Sequence, residues 1–220
     1  MFDKSISNHY NLRHLKGRRV MDNLKRAQSI VGFSKTREPL DHYPTPDIAV
    51  IELLKREQFD GIIWEPACGE GNIAKFFPGC MASDIRSDNI YGEPNVNFLE
   101  EFREVTHIIT NPPYKLAQKF AEHALTCARG KVALLLKLAF LEGASRYRLF
   151  QKFPIKTVYV FSKRLPLSKN GNTQKQSSMI PFAWFLWEKG FKGKTIIEWI
   201  MAQDNHKKES VKRKPILRLV

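Results

Sequence analysis

The stretch at 105–114, VTHIITNPPY, constrains the fold more than any other part of the chain. An apolar run rich in β-branched residues reads as a buried strand. It stops abruptly at Asn111, Pro112, Pro113 and Tyr114. Proline holds φ at about −65° and has no N–H, so two in succession cannot continue a central strand, and the residue before each is pushed extended. The chain must therefore leave the sheet at Asn111 as a stiff polar loop. The Asn111 side-chain oxygen and the Pro112 carbonyl are both acceptors on a backbone too rigid to swing away. Such a pair suits an amino group held in the plane of its ring, and Tyr114 offers a flat face for stacking. Taken alone, these four residues also fit a proline-rich turn capped by an asparagine.

The flanking pattern shows what kind of sheet this strand joins. Short apolar strands are predicted within GIIWE, CMASDIR, 95–98, 105–110, 131–136, 157–161 and PFAWFLWEKG, seven in all. Helices are predicted from Thr45 through TPDIAVIELLKRE, in NIAKFF, at 115–128 and at 140–153. This alternation implies an α/β fold with a mostly parallel sheet and helices on both faces. The Trp and Phe residues of the last strand read as core. The preceding segment, 164–178, is polar, turn-rich and long enough to be a loop with a task of its own.

Ligands of parallel sheets sit at the carboxyl ends of the strands, and three of these strands end in reactive side chains. The first ends in Glu65 and turns through Gly69 and Gly71, which permit a tight turn and close backbone approach. The second carries Asp84, in the position where an acid commonly bonds ribose hydroxyls, or where it would cap a helix. The third such strand ends in Asn111, so one crevice can contain all three. Upstream, Thr45 reads as an N-cap and Pro46 as the first helical residue, with Asp47 in the first turn. Helix N-termini attract anions, so Thr45 is placed to hold one as well as to cap.

In order, Tyr43-Pro44-Thr45-Pro46, Glu65-Pro66-Ala67-Cys68-Gly69-Glu70-Gly71, Asp84 and Asn111-Pro112-Pro113-Tyr114 resemble the motifs of the gamma-type S-adenosylmethionine-dependent amino-methyltransferases. More narrowly, they resemble the small adenine-N6 DNA methyltransferases of phages and prophages, over roughly residues 41–200. The resemblance implies a Rossmann-like, seven-stranded, mostly parallel sheet whose last strand is antiparallel, which agrees with a hairpin through 164–178. It implies S-adenosyl-L-methionine as cofactor, bound by Tyr43, Thr45, Glu65, Pro66, Ala67, Gly69, Gly71, Asp84 and Phe98. Thr45 would hold the methionine carboxylate and Asp84 the ribose hydroxyls. Asn111, Pro112, Pro113 and Tyr114 would be catalytic, with Tyr114 and Phe182 stacking on a target base that is flipped out or already unpaired. The family often has Asp-Phe near the cofactor adenine; here the acid is replaced by Asn97, before Phe98. No metal is required by this chemistry.

Charge divides the chain into three parts. Residues 1–40 hold nine Lys/Arg against three acids, 41–200 hold twenty-one against seventeen, and 201–220 hold six against two. A basic N-terminal extension (1–40), a methyltransferase domain (41–200) and a basic C-terminal tail (201–220) are the expected organisation. Basic ends of this kind bind polyanions such as nucleic acid, or serve solubility. Residues 11–30 read as a basic helix or an arm that folds on binding. The partner expected is nucleic acid, DNA ahead of RNA. Relatives with this loop also act on cytosine-N4 and on a protein glutamine amide, and a catalytically idle nucleic-acid-binding module on the same fold is a rival of another class. The polar N-terminus, the absence of a long apolar run and three cysteines without a CxxC pair predict a reduced cytoplasmic protein, in a bacterial host if phage-encoded, with no membrane span.

Overall fold

A computed structural model of the protein describes residues 43–166 and 180–201. The predicted N-terminal extension, nearly all of the C-terminal tail and most of the 164–178 loop lie outside the described residues. Among the described residues, three helices, α1 (Asp47–Leu54), α2 (Ala117–Cys127) and α3 (Ala144–Lys152), are interleaved with seven strands. The strands are β1 (Ile63–Glu65), β2 (Met81–Ala82), β3 (His107–Thr110), β4 (Lys131–Lys137), β5 (Thr157–Phe161), β6 (Phe182–Glu188) and β7 (Ile196–Ile200). They form one sheet in the order β2-β1-β3-β4-β6-β5-β7. Strands β2, β1, β3 and β4 are mutually parallel, as are β5 and β7, while β6 runs antiparallel to both β4 and β5.

Period-two alternation sorts the core to the two faces of this sheet. Val132, Leu134 and Leu136 of β4 join Phe185 and Trp187 of β6 beneath Ala121 and Ala124 of α2 and Leu149 of α3. Ala133 and Leu135 join Trp184 and Leu186 beneath Ala49, Val50 and Leu53 of α1. Each fully buried side chain of this size contributes about 1.5–3 kcal/mol. The central strands therefore hold the frame from which the loops project. Trp184 also donates from Nε1 to the Ala49 carbonyl at 2.8 Å, tying α1 to β6.

Several elements differ from the sequence expectation, each for a local reason. Residues 95–98 form no strand. Asn95 takes φ +60°, Pro94 has no N–H, and the Asn97 side chain accepts from Leu99 N at 3.2 Å, so the extended stretch is cut short. Val96 and Phe98 are nonetheless buried. NIAKFF forms only a 3-10 turn at Ala74–Phe76, because Pro78 and Gly79 follow too soon for a helix to propagate. The helix predicted at 140–153 is split by Gly143, at φ +107°, into a 3-10 turn at Leu138–Leu141 and α3. Thr45 is not the N-cap of α1. Pro46 holds that position, and the Thr45 hydroxyl is engaged elsewhere. The strand expected to close the sheet, within PFAWFLWEKG, is β6 and runs antiparallel as expected; beyond it β7, an edge strand parallel to β5, lies in a segment assigned no element from sequence.

Candidate active site

A cavity of about 310 Å³ opens at the carboxyl ends of β1, β2 and β3. Of the residues singled out in the sequence, Tyr43, Thr45, Glu65, Pro66, Ala67, Gly69, Asp84, Phe98, Asn111 and Pro113 line it. Pro112, Tyr114, Gly71 and Phe182 do not. The volume falls in the range of small-molecule sites.

Its floor is the turn after β1. Gly69 has φ +51° and Gly71 +78°, conformations that L side chains rarely adopt. Gly71 lies under the Tyr91 ring, where any Cβ would collide, so its role is to pack the turn. The Gly69 N–H donates to Asp84 Oδ2 at 2.8 Å, and the Arg86 N–H donates to Asp84 Oδ1 at 2.9 Å. Asp84 thus clamps the glycine turn to the end of β2. Arg86 Nε also donates to Oδ1 at 3.3 Å, so of the carboxylate's roughly four lone-pair sites a free one remains on Oδ2 for a hydroxyl in the cavity.

Glu65 is 2% exposed and accepts the Ala74 N–H at 2.6 Å through Oε2. Burial pushes its carboxyl well above the ordinary carboxylate range; the Ala74 bond opposes this and the nearby Asp84 charge adds to it. A cationic ligand in the cavity would stabilise its ionised form.

On the opposite wall the chain leaves the sheet at Asn111, as the two prolines require, and makes a 3-10 turn at Tyr114–Leu116. The Asn111 amide donates from Nδ2 to the Tyr43 carbonyl and to Thr45 Oγ1, each at 3.1 Å. Its Oδ1 is buried and has no hydrogen-bond partner among the described residues. A buried unsatisfied acceptor costs about 1–3 kcal/mol, so this oxygen is held ready for a donor at the expense of stability.

Tyr114 stands behind this point. Its ring stacks on Tyr43 at 5.9 Å and 23°, meets Phe182 at 5.4 Å and 45°, and carries Lys137 Nζ 4.6 Å from its centroid. Phe182, the first residue of β6, is 4% exposed and belongs to the core cluster under α1. Phe98 packs against Trp64 and Phe120 while edging the cavity.

Sequence reasoning missed several lining residues, among them Asn72, Ile85, Arg86 and Lys115. Arg86 was findable from its position two residues after Asp84; its Nη2 is buried without a partner among the described residues. The remainder enter through loop geometry that leaves no pattern in sequence. Among the described residues, no group of His, Cys, Asp and Glu is arranged to hold a metal ion, and no helix is long and apolar enough to cross a membrane.

The fold is similar to that of solved methyltransferase structures. A protein of Vibrio vulnificus YJ016, described as a modification subunit of a type I restriction enzyme, aligns with a TM-score of 0.55 at 14% identity over 94% of this chain and 55% of its own. The type I restriction-modification methyltransferase subunit of Streptococcus thermophilus gives 0.50 at 13% identity over 69% and 45%. A Listeria monocytogenes protein described as a class I S-adenosylmethionine-dependent methyltransferase gives 0.52 at 14% identity over 81% and 72%. The protein has the Rossmann-like methyltransferase fold. It spans about half the length of the two modification subunits. No protein-family model and no curated protein sequence matches the chain.

Proposed function

We propose that the protein is an S-adenosylmethionine-dependent methyltransferase that modifies the exocyclic N6 of adenine in DNA, with the target base flipped out or unpaired. The observation that carries this reading is Asn111 Oδ1, an unpartnered buried acceptor where the stiff Pro112-Pro113 turn meets the strand-end cavity. The cavity chemistry fits the cofactor. Glu65 and Asp84 offer carboxylates to a cationic, hydroxyl-bearing ligand, Gly69 and Ala67 bring backbone close, and Phe98 and Ile85 supply apolar surface. When bound, S-adenosylmethionine supplies an electrophilic methyl group on a sulfonium sulfur, which keeps the C–S electron pair as the methyl leaves.

The protein's own task is to make a poor nucleophile attack. An aromatic amine delocalises its lone pair into the ring. Asn111 Oδ1 and the Pro112 carbonyl bind the two amine hydrogens, favour the form with the lone pair out of the ring plane, and aim it into the cavity. As the N–C bond forms, N6 becomes cationic and gives up one of these hydrogens by way of its acceptor to water. The half-buried Tyr43 and Tyr114 rings supply the surface on which an extruded base rests, while Phe182, buried in the core, packs behind Tyr114 and is not free to stack on a base. The 1–40 extension, the 41–200 domain and the 201–220 tail divide the work, with the domain carrying transfer and the basic ends holding phosphates.

DNA is favoured because two of the structural neighbours are described as modification or methyltransferase subunits of type I restriction systems. RNA adenine is the second reading, since basic ends bind either polynucleotide. The test is incubation with methyl-labelled cofactor and separate DNA and RNA pools, followed by digestion to nucleosides. Label in N6-methyldeoxyadenosine is the expected result. Label in N6-methyladenosine favours RNA, and cofactor binding without transfer to any polynucleotide revives the idle module.

A further inference from the structure

We propose that Thr45 is a positioning residue for Asn111, whose amide it locks, together with the Tyr43 carbonyl, so that Oδ1 is the atom presented to the target amine. The proposal rests on the reading of the site given above, and it moves Thr45 from the cofactor's carboxylate to the target side. The Tyr43 carbonyl can only accept, so the end of the Asn111 amide lying 3.1 Å from it must be the NH2 group. The second N–H goes to Thr45 Oγ1, also at 3.1 Å. Both amide hydrogens are thereby used. Flipping the amide would set oxygen against oxygen at Tyr43 and forfeit the donor bond there.

The brace is itself fixed. Thr45 is 4% exposed. The next residue starts α1 by accepting the Ala49 N–H at 2.9 Å, and the Ala49 carbonyl is held by Trp184 of β6. The same segment steadies the second target-side residue, because the Tyr43 ring stacks on Tyr114. Residues 43–45 thus orient both the acceptor and the stacking ring from the segment that leads into α1, outside β3 and its loop.

The test compares Thr45→Val, which keeps the shape and removes the acceptor, with Thr45→Ser, which restores it. At saturating substrates Thr45→Val is expected to lose kcat by about tenfold or more while KM for DNA and calorimetric affinity for S-adenosylhomocysteine stay within about twofold, and Thr45→Ser recovers most of the loss. A second readout needs no turnover. The Asn111 side-chain NH2 resonance, identified by its absence in Asn111→Asp, should exchange with solvent about tenfold faster in Thr45→Val and at the wild-type rate in Thr45→Ser. Unchanged amide exchange overturns the proposal. So does the opposite kinetic split, weakened S-adenosylhomocysteine binding with kcat intact, which marks a cofactor-carboxylate ligand. If the wild-type protein transfers no methyl to any polynucleotide, the proposed function falls, while the amide exchange still decides what Thr45 does.

Discussion

At Asn111 the two ends of a single amide differ: its nitrogen is bonded within the fold, its oxygen is buried without a partner among the described residues, and the proposed function gives that oxygen the target amine. Asn111→Ala should therefore lower turnover by roughly 100-fold or more, the scale of losing an aimed transition-state hydrogen bond. Affinity for S-adenosylhomocysteine should stay within about twofold, because the proposed function sets the amide toward the target and not the cofactor. Calorimetry beside single-turnover kinetics checks both; a weakened affinity of the same size as the rate loss would contradict it. Glu65 shows a second residue-scale conflict. Its folded-state carboxyl titrates well above the ordinary range because it is buried, so the folded protein holds this proton more tightly than the unfolded chain. The stability contributed by the protonated form is complete below the unfolded pKa and is lost as pH rises through the folded one. Glu65→Gln keeps an acceptor for Ala74 N–H and removes the ionisation. Without cofactor, its melting temperature should exceed that of wild type at pH 8, and the gap should shrink as pH falls towards 5.

At the scale of elements, His107 joins pieces that the sheet alone would leave loosely registered. From the first position of β3 its Nε2 lies 3.0 Å from the Asp60 carbonyl, before β1, and its Nδ1 accepts the Lys131 N–H, at the start of β4, at 2.9 Å. A backbone N–H can only donate, so Nδ1 must be unprotonated and Nε2 carries the hydrogen. Burial lowers the pKa of this ring, the Asp60 carbonyl bond opposes the shift, and the Lys131 charge reinforces it. A depressed pKa means stability that is present above the unfolded value and lost as pH falls through the folded one. The melting advantage of wild type over His107→Gln should therefore narrow between about pH 7 and pH 5. A gap that stayed constant across this window would show that the ring acts by packing alone, against Phe59 and within the sheet.

At the scale of the whole molecule the dominant quantity is the net charge of +14, concentrated at the two ends of the chain. Residues 1–36 carry eight Lys/Arg against two acids. If they lie on phosphates they release counterions, and binding to a polynucleotide must weaken steeply with salt. Deleting 1–36 should weaken binding similarly across sequences and flatten the slope of log affinity against log salt by about 0.9 for every phosphate that the shortened chain no longer neutralises. Cofactor affinity should be unaffected. An unchanged salt slope would dismiss the phosphate-arm reading, and a fall in melting temperature would show that the segment also supports the fold.

What could be read from the sequence was whatever local chemistry dictates. Two prolines end a strand wherever they stand, so the exit of the chain at Asn111 was legible, as were the apolar run of β4 and the core-facing Trp and Phe residues of β6. The placement of Glu65, Asp84 and Asn111 at strand ends made a shared crevice legible as well. Elements set by competition were not. Residues 95–98 have a strand's apolar spacing yet yield to the positive φ of Asn95, and β7 exists because the edge of β5 offers it partners. Thr45 shows the limit most clearly. By sequence it is an N-cap or an anion ligand; the N-cap position goes to Pro46, and only the approach of the α1 entry to the β3 loop, 66 residues away in the chain, sets its hydroxyl oxygen to accept from the Asn111 amide. A hydrogen bond depends on distance and direction in space, and no spacing along a chain contains either.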